Sequence, residues 1–100
     1  NIDKVVEEIN RLAKVKLEEG YKVGIIGTSE TVGQYESGDV KCIGTREDEA
    51  TIASNLYGIL REFDDDKVDY IYSESFSSGG IGSAIMNRLL KAAGHHVIRI

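Results

Sequence analysis

The stretch that decides the fold is Val68-Asp69-Tyr70-Ile71-Tyr72-Ser73-Glu74-Ser75-Phe76-Ser77-Ser78-Gly79-Gly80-Ile81-Gly82-Ser83-Ala84-Ile85-Met86-Asn87-Arg88-Leu89. Residues 68–75 predict an apolar strand, the serines and glycines a turn, and residues 81–93 a helix closed by Gly94. A further strand is predicted over residues 96–100. Strand, small-residue turn, helix and strand in that order form the crossover unit of a parallel sheet. Working towards the start, Ile2, Val5, Val6, Ile9, Leu12, Ala13 and Leu17 lie on one helical stripe. Asn1 or Asp3 caps that helix, Glu7 pairs with Arg11, and Gly20 ends it. Residues 21–27 predict a mostly buried strand and residues 28–39 a polar loop. Residues 40–44 predict a short strand whose direction the sequence leaves open. Thr45 is the expected N-cap of a helix with Glu47, Asp48 and Glu49 in its first turn, where negative charge is favourable. That helix turns Ile52, Ala53, Leu56, Tyr57, Leu60 and Phe63 inward and stops near Asp64, where three acids oppose its dipole. The expected architecture is α/β: one small Rossmann-like three-layer α/β/α domain over residues 1–100, with a mainly parallel sheet.

Composition narrows the function. With 41% apolar and 29% charged residues among 100, the chain is an ordinary globular domain. A net charge of −5 and scattered basic residues argue against direct nucleic-acid binding, which needs clustered Lys and Arg. No apolar run approaches the roughly 20 residues that span a bilayer, and no signal-peptide pattern opens the chain, so no membrane partner and a cytoplasmic location are expected. The single cysteine, Cys42, excludes an internal disulfide and a thiolate metal cluster, and is expected to be a buried strand residue. A chain opening on Asn1 rather than Met reads as a piece of something longer.

In an open parallel sheet, ligands sit beyond the carboxyl ends of the strands. Three predicted loops meet there, and they offer a candidate anion site: Thr28, Ser29, Thr45, Arg46, Glu74, Ser75, Ser77, Ser78, Gly80 and Gly82. Hydroxyls, backbone N–H groups at a helix start and one guanidinium suit a phosphate or carboxylate; the competing reading is that these are turn and cap residues. Gly80-x-Gly82 lacks the third small residue and the distant acid of a dinucleotide fingerprint, and there is no P-loop. Glu74 is placed for a general base, or for accepting hydrogen bonds that hold the glycine loop shut. The second role is favoured because no other titratable group is fixed beside it. Ser75 has no nucleophile elbow, and His95 and His96 point to opposite faces of a strand. Asp64, Asp65 and Asp66 form a solvated helix end. No catalytic residue and no metal site are therefore expected, while Arg88 is placed either for a hydrogen bond across a domain interface or for pairing with a surface acid.

Several runs carry a family resemblance. They are Ile52-Ala53-x-x-Leu56-Tyr57-x-x-Leu60-Arg61-x-Phe63-Asp64, Val68-Asp69-x-Ile71, Glu74-x-Phe76 and Gly80-x-Gly82-x-Ala84-Ile85-Met86-Asn87-Arg88-Leu89-x-Lys91-Ala92-Ala93-Gly94. In register over about half the chain, they resemble the C-terminal domain of two-domain L-threonylcarbamoyladenylate synthases. The resemblance implies membership of a nucleotidyltransferase that condenses threonine, bicarbonate and ATP for tRNA threonylcarbamoyladenosine modification. It implies that ATP and Mg belong to a separate N-terminal catalytic domain, absent from these residues, so that this chain carries no cofactor and is not catalytic by itself. The partner it implies is that domain with its linker, met through Tyr72, Asn87 and Arg88. A nucleotide- or phosphate-binding regulatory module is the alternative.

Overall fold

The computed structural model describes residues 2–74 and, as backbone, residues 96–99. The predicted glycine-rich turn, the helix over 81–93 and its cap Gly94 lie outside the described residues.

The chain opens with α1 (Ile2–Glu18), which buries Val6, Ile9 and Ala13 on one stripe. Arg11 pairs with Glu8 rather than Glu7, and Lys16 with Glu19 at 3.1 Å, both one turn away on exposed surface. The helix ends as predicted at Gly20, φ +94°. The Gly20 and Tyr21 N–H groups donate to the carbonyls of Leu17 and Lys16, each at 3.1 Å, which together make a Schellman motif. β1 (Val23–Gly27) follows and is buried throughout. The polar loop after it holds a single 3₁₀ turn over Val32–Gln34 and leads to β2 (Asp39–Cys42). Next come α2 (Glu49–Asp65) and β3 (Tyr70–Ser73), and β4 (His96–Arg99) closes the described chain.

The N-cap of α2 is Asp48, not Thr45. Its carboxylate accepts from the Thr51 N–H at 3.2 Å and from the Thr51 hydroxyl at 2.7 Å. Thr45 is turned away because its hydroxyl donates to Glu30. The far end of α2 is a second Schellman motif. Lys67 (φ 58°) takes the left-handed position, and the N–H groups of Lys67 and Val68 reach the carbonyls of Asp64 and Phe63.

The four strands lie in the order β2-β1-β3-β4, and every pairing is parallel. β2 is therefore parallel to β1, with Ile25 opposite Val40 and, across β1, opposite Tyr72. Alternation along the strands separates two cores. Val23, Ile25 and Tyr72 pack under α1 with Val6, Ile9, Ala13 and Tyr35. Ile26, Ile43 and Ile71 pack under α2 with Ile52, Leu56, Ile59, Phe63 and Val68. Helices thus cover both faces, which is the predicted three-layer arrangement. Gly24 faces α2, and a Cβ there would lie 2.6 Å from the Phe63 ring, so the ring rests directly on the strand.

Three expectations change at this level. Tyr57 is 67% exposed on α2 rather than inward, with the adjacent turn positions Leu56 and Ile59 filling the core instead. Cys42 is exposed at the end of the edge strand β2. Tyr72, expected at a domain interface, lies buried beneath α1 because its position in β3 points to that face. Among the described residues, no helix is long and apolar enough to cross a membrane.

Candidate functional site

Glu74 follows β3 directly and is fully buried. A buried carboxylate is tolerated only with a counter-charge and hydrogen bonds on its lone pairs, and here it has both. Arg46 Nη2 donates to Oε1 at 2.6 Å, and the Thr28 hydroxyl lies 3.4 Å from the same oxygen. Thr31 donates to Oε2 at 2.5 Å, and the Tyr35 hydroxyl donates to that oxygen too. A hydroxyl has one proton to give, and that of Thr28 is divided between Glu74 Oε1 and the nearer Thr31 Oγ1, at 3.1 Å. In this arrangement Glu74 ties the loop after β1 and the turn after β2 to the end of β3.

Each donor is positioned locally. The Thr31 and Val32 N–H groups both donate to the Thr28 carbonyl at 2.9 Å, and the Thr28 N–H donates to the Thr31 hydroxyl at 3.1 Å. This winds the start of the loop into a tight turn against the end of β1. Gly27 then admits Tyr35, since a Cβ at Gly27 would lie 2.8 Å from the tyrosine ring. Burial first, and then the Glu74 carboxylate, push the Tyr35 phenol above its ordinary pKa, which keeps it a donor. Arg46 is held from the other side, where its backbone N–H donates to Glu30 Oε1 at 3.3 Å and the Thr45 hydroxyl donates to Glu30 Oε2 at 2.8 Å. Those bonds, Thr45 foremost, hold the Glu30 carboxyl below its usual range.

Of the predicted anion-site residues, the structure brings Thr28, Thr45, Arg46 and Glu74 together. The Arg46 charge is balanced by Glu74, and 31% of the Arg46 side chain remains exposed. Ser29 is exposed and turned towards Cys42, its hydroxyl 3.5 Å from the sulfur. Ser75, Ser77, Ser78, Gly80, Gly82, Asn87 and Arg88 lie outside the described residues. The described bonds to Glu74 come from the loop after β1 and from Arg46; the glycine loop, the source expected from the sequence, lies outside the described residues. Thr31 and Tyr35 went unmarked in the sequence. Gly27, at a strand end before a polar loop holding a lone tyrosine, was the available signal. A concavity of about 500 Å³ between Leu17, Tyr21, Gly38 and Asp66 lies at the opposite, amino-terminal ends of the strands. Among the described residues no group of His, Cys, Asp and Glu is arranged to hold a metal.

Fold and site together define a Rossmann-like parallel α/β/α domain in which, among the described residues, the polar side chains at the strand ends bond to one another. Residues 2–94 match the family described as "Threonylcarbamoyl-AMP synthase, C-terminal domain", and the chain belongs to that family. It is 47% identical over 93 residues to the threonylcarbamoyl-AMP synthase of Bacillus subtilis, covering 93% of this chain and 27% of that protein. It is 41% identical over 98 residues to that of Pyrococcus abyssi, covering 98% of this chain and again 27% of the relative. The chain thus spans about a quarter of the length of these relatives. The crystal structure of the C-terminal Sua5 domain of a hypothetical Sua5 protein from Pyrococcus horikoshii superposes with a TM-score of 0.72 at 31% identity. That superposition covers 100% of this chain and 89% of the other.

Proposed function

We propose that this chain is a docking and gating domain within a longer threonylcarbamoyl-AMP synthase, and that it performs no chemistry itself. The observation that carries the reading is the buried Glu74 carboxylate, paired with Arg46 and bonded by Thr31 and Tyr35. At the strand ends, where an α/β domain ordinarily receives ligand, the described side chains bond to one another. A centre whose described polar groups bond to one another suits a body that packs against a catalytic half. In this reading ATP, Mg, threonine and bicarbonate bind in that other half, and the product serves tRNA modification. The test uses the full-length Bacillus subtilis relative with and without the region matching this chain, following pyrophosphate release with ATP, threonine and bicarbonate. Removal is expected to lower turnover or raise the KM for a substrate; unchanged kinetics would overturn the proposal.

A nucleotide- or anion-binding regulatory module is the second reading, and the part-exposed guanidinium of Arg46 at the strand ends favours it. A thermal-shift titration of this chain with ATP, AMP, pyrophosphate and threonine separates the two. A ligand at a hundred times its Kd adds about 2.7 kcal/mol, which a domain of this size reports clearly. Docking expects no shift; a shift with a nucleotide or pyrophosphate would promote the second reading.

A further inference from the structure

We propose that Thr28, Thr31, Tyr35 and Arg46 form a carboxylate receptor whose resident ligand is the chain's own Glu74 side chain. The donors come from two segments, the loop after β1 and the turn after β2, while the carboxylate comes from a third, the end of β3. The receptor walls are held by bonds in which Glu74 takes no part. The Thr28–Thr31 turn closes on its own backbone, and the Ser29 and Ile43 N–H groups lock the two loops together by donating to the Gly44 and Gly27 carbonyls at 2.8 and 2.9 Å. Arg46 is positioned through Glu30, and Tyr35 lies over Gly27. Such a cradle is organised before its occupant arrives, the condition for tight binding of a small ligand.

The donor set also names the ligand class. One cation neutralises a single negative charge, and the Thr31 and Tyr35 hydroxyls, with Thr28 at 3.4 Å, supply neutral donors to its oxygens, which matches a monocarboxylate. A phosphate dianion would leave a charge uncompensated in a buried place. Glu74 thus does from within what a free carboxylic acid would do from solution.

The test vacates the receptor. Glu74→Ala removes the Cγ and carboxylate atoms, which together correspond to acetate. Thermal melts of this chain and of Glu74→Ala are followed against sodium acetate, with sodium chloride at equal ionic strength and neutral acetamide as controls. Acetate is expected to raise the melting temperature of Glu74→Ala saturably and beyond both controls. The unsubstituted chain should respond alike to acetate and chloride, and adding Arg46→Ala should weaken the acetate response at least about tenfold, the factor that 1.4 kcal/mol represents. A folded Glu74→Ala chain that answers acetate no more than chloride or acetamide would overturn the proposal. Should Glu74→Ala be unfolded in chloride, the complementary variant decides. Arg46→Ala keeps the carboxylate and its three hydroxyls, and ethylguanidinium at low millimolar concentration should restabilise it beyond ethylammonium. Failure of that rescue would likewise overturn the proposal.

Discussion

At the scale of single residues, the Glu74 cluster sets a ranking of substitutions. Glu74→Ala should cost about 3–5 kcal/mol, the range for breaking a buried pair, because it leaves Arg46, Thr31 and Tyr35 without their acceptor. Arg46→Ala should cost at least as much, because it leaves a fully buried carboxylate without its counter-charge. Urea unfolding of the two variants checks this, and a clearly smaller cost for Arg46→Ala would mean that the hydroxyls alone solvate the carboxylate. Tyr35 adds a pH dependence. Its phenol titrates higher in the folded chain than in the unfolded one, where the ordinary value is about 10. Its contribution is therefore complete below about pH 10 and is lost as pH rises beyond that. Tyr35→Phe should be less stable than the parent at pH 8 and fall less steeply between pH 10 and 11. A residual slope is expected, because burial raises the Tyr72 phenol as well. The sequence marked Glu74 and Arg46 as site residues but not the company they keep. Thr31 and Tyr35 stand 43 and 39 residues from Glu74, and no local pattern reports a hydrogen bond over that separation.

At the scale of elements, α1, α2 and most of the described strands were legible because each buries a stripe or an alternating face. What was not legible depended on choices between neighbours. Thr45 and Asp48 are both good N-caps, and the choice went to Asp48 once Glu30 had claimed the Thr45 hydroxyl. The direction of β2 stayed open because β1 and β2 are joined through a 3₁₀ turn rather than an α-helix, so the usual sign of a parallel crossover is missing. The end of α2 is sharper than an acid run alone explains, because Lys67 accepts a left-handed backbone to complete the Schellman motif. That conformation costs an L residue about 1–2 kcal/mol, against about 0.5–1 kcal/mol of extra chain entropy for glycine. Lys67→Gly is therefore expected to stabilise the chain by up to about 1 kcal/mol, a rise of several degrees in a domain this size; an unchanged or lower melting temperature would contradict it. Between elements, Gly24→Ala should cost about 1–3 kcal/mol by forcing the Phe63 ring off β1. The same substitution should cost less in a Phe63→Leu background, and equal costs in the two backgrounds would mean that the clash is relieved elsewhere.

At the scale of the whole molecule, composition and charge read correctly as an ordinary domain, and alternation along the strands divided its interior in two. Among the described residues, the two core clusters share no member, and the sheet lies between them. Truncations on opposite faces, such as Ile9→Val and Ile52→Val, should each cost about 0.5–1.5 kcal/mol. Together they should add to within about 0.5 kcal/mol. Two truncations within one cluster should depart from additivity by more, and equal departures would show that the sheet transmits strain. The sheet then works as a bulkhead. Damage taken on the α1 side stops at β1 and β3, so the two sides are free to drift apart in sequence over generations, each answering only to its own helix.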